Sequence, residues 1–364
     1  MELKSSNINS TDRLIALDAF RGFTVAGMMI VNNPGSWSHL YPPLGHAEWH
    51  GVTPTDFVFP FFLFIVGISI TLAYTKRLSI GTPKKEMVIK IFKRSAIIFG
   101  LGLFLSLHPR FDFMQLRIPG VLQRIAVVFM VCSILFLNTN WKTQAKTAGA
   151  LLIGYWLLMA FVPTPGYDKA MLEPGKNLAS WLDSVIIPLR MFRDTWDPEG
   201  LLSTLPAIAT GITGMLVGKL ILSDLNIEKR VSYIFLAGFL SLTIGEAWGW
   251  IFPLNKHIWT SSYVLYTSGL GALTLASMIL IIDVFKLQKW TQFGIIYGSN
   301  AISVFVLAGI LPTYTSGIKN FIFNELMDAG VAPRLASLCW AIMFCLICFL
   351  PAYILYRKKI FIKV

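Results

Sequence analysis

Residues 57–73 read Phe57-Val58-Phe59-Pro60-Phe61-Phe62-Leu63-Phe64-Ile65-Val66-Gly67-Ile68-Ser69-Ile70-Thr71-Leu72-Ala73, without one charged side chain. A run of this length matches a helix crossing roughly 30 Å of hydrocarbon. A transmembrane barrel strand would be half as long and would alternate apolar with polar positions. The same pattern recurs to either side. The 364 residues are 55% hydrophobic and only 14% charged, against about a quarter charged in soluble domains. The apolar positions fall in continuous blocks, as helices that satisfy their own backbone require. The sequence therefore predicts an all-α polytopic membrane helix bundle of about ten transmembrane helices. They lie near 14–33, 55–75, 89–107, 119–138, 146–163, 201–222, 231–252, 260–283, 292–311 and 337–356. Residues 1–364 then form a single transmembrane domain. The longest connection, 164–200, carries Pro165, Gly166, Pro174 and Gly175 and reads as a structured or interfacial excursion.

Basic residues orient such a bundle. With the N-terminus inside, the inner stretches hold 20 of the 31 Lys and Arg and the outer ones 9, with Arg21 and Arg124 inside helices. Ten spans then leave both N- and C-termini cytoplasmic, which suits Arg357-Lys358-Lys359. The net charge of +12 is absorbed by these flanks, and no basic, aromatic-laced segment points to nucleic acid. The first block carries Asp18 and Arg21 behind a polar start, so no cleavable signal peptide is expected. Cys132, Cys339, Cys345 and Cys348 all lie in apolar blocks and read as reduced packing side chains. No internal repeat is evident, which weakens a transporter built from duplicated halves.

Directly before the opening stretch lies Gly45-His46-Ala47-Glu48-Trp49-His50-Gly51. Residues 33–54 contain His39, His46 and His50 but no Lys or Arg, and the topology puts all five histidines on the outer side. An imidazole titrates near neutrality and can accept a proton there, although an interfacial histidine bonded to loop backbone has the same sequence signature. A metal site is not expected. A zincin-type helix needs Glu directly after the first His, and Ala47 stands there. Asn32, at the outer end of the first helix, has a carboxamide able to stabilise an oxyanion or simply to cap the helix.

Charges within spans are functional candidates. Asp18 and Arg21 are spaced to pair. Arg124, beside Gln123, sits about one turn into the fourth helix. Asp56 opens the second, where it can cap the helix or orient His46. Glu246, near Trp248 and Trp250, faces the outer side. Asp56, Glu246 and Trp248 are candidate binders of a cationic sugar or amine.

Taken in order, several stretches resemble the transmembrane heparan-α-glucosaminide N-acetyltransferase family. They are Arg13-Leu-Ile-Ala-Leu-Asp18-Ala-Phe-Arg21-Gly22, Val31-Asn32, His46-Ala-Glu-Trp49-His-Gly51, Asp56-Phe-Val-Phe-Pro60, Arg117-Ile-Pro-Gly-Val-Leu-Gln-Arg124, Asp197-Pro-Glu-Gly200, Pro253-Leu-Asn-Lys256, Trp259-Thr-Ser-Ser-Tyr263 and Leu355-Tyr-Arg-Lys-Lys-Ile360. The resemblance implies an acetyl-CoA-dependent acetyltransferase that acetylates a glucosamine-type amine across the membrane. It implies that His46 and Asn32 are catalytic and that Arg124, Ser262 and Asn300 belong to the acetyl-CoA pocket. It also implies a homodimer. The chain looks like a compact bacterial homologue without the lumenal domain and extra leading helix of lysosomal members, which points to a bacterial inner membrane.

The expected chemistry is direct transfer, with His46 as general base and Asn32 on the thioester carbonyl. The rival is a relay in which His46 itself carries the acetyl group. Readings from other classes are a proton-coupled transporter of amino sugars or cell-wall fragments using Asp18 and Glu246, a metal-dependent membrane hydrolase, and an acyltransferase acting on polysaccharide hydroxyls.

Overall fold

A computed structural model of the chain describes residues 14–362. The basic residues Lys4, Arg13 and Lys363 used in the topology reading lie outside that range. The described residues form twelve α-helices: α1 (Ile15–Asn32), α2 (Val58–Ser79), α3 (Lys84–Leu107), α4 (Val121–Asn138), α5 (Trp141–Phe161), α6 (Leu178–Ile186), α7 (Thr204–Ile221), α8 (Ile227–Gly249), α9 (Ser261–Met278), α10 (Gln292–Ser299), α11 (Ala301–Asp328) and α12 (Pro333–Arg357). Among the described residues, β-type pairing is confined to one isolated bridge, Arg193 to Trp196. This is the all-helical polytopic membrane architecture that the sequence calls for.

Eight of the helices are long and apolar enough to cross a membrane: α1, α2, α4, α7, α8, α9, α11 and α12. Helices α3 and α5, also read as spans, have the length, at 24 and 21 residues. Their first turns are polar, with Lys84, Lys85, Glu86, Lys90, Lys93 and Arg94 in α3 and Lys142 and Lys146 in α5. The expected span at 292–311 is corrected by the structure. It is broken at Asn300, and α11 continues from there through Pro312 to Asp328. The apolar residues on either side of Gly298-Ser299-Asn300 merge into one hydropathy block, and membrane helices tolerate an internal proline where a soluble helix would stop.

The chain packs as two compact units. The first contains Trp49–Gly51 and Leu63–Leu280, and so most of α2 and all of α3–α9. Here α8 lies along α9, α3 along α4, and α7 against α4, α5 and α9. The close crossings use glycine, as membrane helices do when apolar burial gives no net drive. A Cβ on Gly67 of α2 would stand 1.9 Å from the Gly211 carbonyl of α7, and Thr71 Oγ1 donates to the Met215 carbonyl at 3.1 Å one turn further on. The 164–200 connection is ordered around α6, whose Asn177 cap accepts from the Ser180 N–H at 2.9 Å.

The second unit contains Leu14–Glu48, Val52–Phe62 and the chain from Ile281 onward. Its centre is α1, packed on α10 and α12. A Cβ on Gly22 would overlap the Gly294 carbonyl of α10. After α1 the chain turns at Pro34-Gly35, where Ser337 of α12 anchors it. The Ser36 N–H donates to Ser337 Oγ at 3.0 Å, and the Gly35 N–H to the Ser337 carbonyl at 3.1 Å.

Candidate active site

The loop from Asn33 to Thr53 is pinned by its own polar groups. Pro42–Leu44 and Pro54–Phe57 form single 3-10 turns, each opened by proline. Thr55 Oγ1 donates to the Pro43 carbonyl at 3.0 Å and Thr53 Oγ1 to the Gly45 carbonyl at 2.6 Å. These bonds draw Gly45-His46 onto the start of α2, within the second unit.

His46 meets Asp56 there. Nδ1 lies 2.7 Å from Asp56 Oδ1. The other carboxylate oxygen accepts from the Ala47 N–H at 3.1 Å and the Thr53 N–H at 3.0 Å. Asp56 is 1% exposed while the His46 ring is 37% exposed. Both oxygens of Asp56 are therefore engaged inward. This places the carboxylate, expected from the sequence to bind substrate, where it can orient the histidine. A carboxylate facing Nδ1 favours a proton on that nitrogen and so orients the ring.

Asn32 is the last residue of α1, with its side chain exposed. Its neighbour Asn33 is spent on its own helix, donating from Nδ2 to the Met29 carbonyl at 3.0 Å. The other histidines are engaged elsewhere. His39 Nδ1 lies 3.2 Å from the hydroxyls of Ser36 and Ser38. In the first unit, His50 Nδ1 lies 3.3 Å from Asn255 Nδ2. Burial holds the His50 imidazole below its ordinary pKa, against the opposing charge of Glu173. Trp49 stacks on His257 with centroids 5.3 Å apart, takes Trp196 edge-on at 5.1 Å, and donates from Nε1 to the Leu172 carbonyl at 2.8 Å. Among the described residues, no three His, Cys, Asp or Glu side chains converge on a point that could hold a metal.

A second polar cluster lies wholly in the first unit. Arg124, in α4 and 2% exposed, donates from Nη2 to the Gly200 carbonyl at 3.1 Å and to Ser203 Oγ at 2.5 Å. Its guanidinium lies over the Trp259 ring at 5.1 Å. Arg117 grips Asp197 with two bonds of 2.7 Å and also pairs with Glu199. These partners raise the Arg117 pKa against the effect of burial. Asp183 of α6 accepts from the Leu201 N–H at 2.8 Å. Burial pushes the Asp183 carboxyl up to about 7; the Leu201 bond opposes this, the charge of Asp197 adds to it, and Arg124 pulls the other way.

The remaining expected residues are placed differently. Ser262 is fully buried, and its hydroxyl donates to the Phe252 carbonyl at 2.5 Å. Asn300 is bonded in both directions to the chain beyond α12. Nδ2 donates to the Ile360 carbonyl at 3.1 Å, and Oδ1 accepts from the Ile362 N–H at 2.9 Å. Both expected cofactor residues thus hold backbone, because buried polar groups must be satisfied somewhere. Glu246 is on an exposed face of α8. Trp248, half-buried, meets Trp156 edge-on at 5.7 Å and packs on the cluster of Tyr155, Met159, Phe252 and Ile258. Sequence reasoning did not single out Asp183, Asp197 or Arg117 as site residues. Their signal was an acidic pair, Asp197 and Glu199, set between apolar blocks about eighty residues from its arginine.

Comparison with known proteins adds a second line. A sequence model of the family "heparan-alpha-glucosaminide N-acetyltransferase, catalytic" matches residues 13–232. Human heparan-alpha-glucosaminide N-acetyltransferase is 29% identical in an alignment spanning 97% of this chain and 60% of that protein. The mouse protein of the same name is 28% identical over 98% and 61%. The chain spans about 60% of the length of these curated relatives.

Proposed function

The chain belongs to the heparan-alpha-glucosaminide N-acetyltransferase catalytic family, and from that premise we propose that it moves an acetyl group from cytosolic acetyl-CoA to the amine of a glucosamine-type sugar at the opposite face of the membrane. The observation that carries the reading is the 2.7 Å contact between His46 Nδ1 and a buried, fully engaged Asp56. An amino sugar is largely protonated near neutral pH and cannot attack until it loses a proton. His46 Nε2, with its ring partly exposed, takes that proton. Asp56 keeps the ring in the right tautomer and stabilises the imidazolium that forms, as an orienting acid does for any histidine base.

The amine nitrogen then bonds to the thioester carbon. Asn32 donates from its carboxamide to the oxygen as charge develops there. The tetrahedral intermediate collapses by breaking the carbon–sulfur bond, and the coenzyme A thiolate leaves with the second proton that the former amine nitrogen gives up as it becomes an amide. Of the three residues expected at the acetyl-CoA site, Arg124 keeps donors available for it. Ser262 and Asn300 support the local backbone. We assign the membrane to a bacterial inner membrane, both termini to the cytoplasm and the working form to a homodimer. Cross-linking in native membranes tests the last of these.

The deciding experiment uses the purified full chain with acetyl-CoA and a panel of amino sugars, followed by mass analysis. His46→Ala is expected to lose about 10²–10⁴-fold in turnover while still binding acetyl-CoA. Turnover like the wild type would sink the assignment. Trapping of an acetyl group on His46, with ping-pong kinetics, would replace direct transfer by the relay.

A further inference from the structure

Arg124 presents a physical anomaly. It is 2% exposed, yet its Nε and Nη1 have no hydrogen-bond partner. Buried donors left unpaired carry a free-energy penalty, and those of a charged group carry a larger one. The fold holds the side chain firmly all the same, through Gly200, Ser203 and the face of Trp259. A rigidly held guanidinium with two free donors is shaped for an acceptor that the chain does not itself supply.

The surroundings say what kind of acceptor. The charged groups around Arg124 are Glu199, Asp197 and Asp183. Arg117 is bonded to two of them. The cluster therefore has two guanidiniums and three carboxyls. Whether or not Asp183 carries its proton, carboxylates equal or outnumber the cations, so no positive charge is left over to draw in an anion. A phosphate or carboxylate entering here would lie beside three acids. It would also have to enter a helix layer apolar enough to span a membrane, where charge is costly. A neutral carbonyl oxygen meets neither obstacle and satisfies the idle N–H groups.

Resting on the acetyl-CoA reading above, we propose that Arg124 grips a carbonyl oxygen of the uncharged arm of the acetyl donor, one of the pantetheine amides or the thioester itself, and not its phosphates. The nucleotide is then dispensable for this part of donor recognition. The chain should accept acetyl groups from S-acetyl-pantetheine, which keeps every carbonyl and lacks the ADP moiety.

The test measures KM of the full chain for acetyl-CoA and for S-acetyl-pantetheine, in the wild type and in Arg124→Met. Arg124→Lys, which keeps the cation over Trp259 but has fewer donors, is carried through the same comparison in case the Met variant fails to fold. The expected result is a weakening of about ten-fold that is the same for both donors. A loss seen with acetyl-CoA but absent with S-acetyl-pantetheine would assign Arg124 to the phosphates and overturn the proposal. Wild-type KM for both donors in a folded variant would remove Arg124 from the donor site, leaving the acetyltransferase reading standing. A wild-type chain that consumes neither donor would overturn that reading, and this inference with it.

Discussion

His46 and Arg124 both sit in polar knots set into an apolar chain, and they are satisfied in opposite ways. Around His46 every accessory group is used. Asp56 has no free oxygen, Thr53 and Ala47 donate inward, and the ring they fix is partly exposed. Around Arg124 the accessory groups are equally well fixed, but the central residue itself keeps two donors idle. The first arrangement is that of a reagent, because full satisfaction of the support concentrates reactivity on one atom. The second is that of a receptor, because the deficit is filled only by what binds.

The sharpest way to break this contrast is Asp56→Asn. A carboxamide can accept at only one of its two positions, so it cannot hold the His46 N–H while also serving Ala47 and Thr53. Turnover should fall about 10²-fold or more, with acetyl-CoA affinity unchanged. Near-normal turnover would make Asp56 a helix-capping residue and leave His46 unsupported. Next in size is Arg117→Ala, which strands Asp197 in a buried position and also frees Glu199. Removing one partner of a buried pair costs on the order of 3–5 kcal/mol. Thermal unfolding in detergent should shift down accordingly, and an unmoved transition would mean that the cluster is not held by its ion pairs.

Asp183→Asn should act in the other direction. The carboxyl ionises at its ordinary value near 3.8 in the unfolded chain and at about 7 in the folded one. Between those values the folded protein holds a proton that the unfolded chain has lost. The Asp183 contribution therefore lowers stability as pH rises from about 4 to about 7, and is constant above. The Asn variant cannot ionise, so it should lose this slope and gain up to a few kcal/mol at neutral pH. Unfolding measured across pH on both proteins checks it, and parallel curves would refute it. The smallest effect is expected for His50→Gln. His50 contacts Asn255 and faces solvent, so turnover should stay within about two-fold of wild type. A large loss would move catalysis toward the wrong histidine.

Much of the helical frame could be read from hydropathy alone, because a membrane span leaves a local signal of length and composition. The break at Asn300 could not. Asn300 is held by the backbone of Ile360 and Ile362 sixty residues away, and the short Gly298-Ser299-Asn300 turn signal is submerged in the apolar residues on either side of it. His46 and Asn32 stood out because polar side chains are conspicuous between greasy blocks. The direction in which Asp56 faces was not readable. Capping a helix and orienting a histidine ask for the same residue at the same place, and the Asp56 carboxylate does both through different oxygens. The engagement of Ser262 and Asn300 was hidden for a related reason. A motif position reports that a side chain matters, while a fold decides whether it serves a ligand or its own backbone. The gathering of Arg117, Asp197 and Asp183 depends on packing among α4, α6 and the turn before α7, which no local pattern records.

The fixing of His46 through one edge of its ring has a consequence for chemical labelling. An electrophile brought to this loop, such as a haloacetyl amino sugar, finds Nδ1 covered by Asp56 and is expected to alkylate the ring at Nε2. The adduct should be a single regioisomer, distinguishable by the coupling pattern of its ring protons. In Asp56→Asn, with the ring free to turn over, a mixture of both isomers should appear. The ratio of the two would then measure, in one spectrum, how firmly a buried carboxylate dictates which nitrogen meets the substrate.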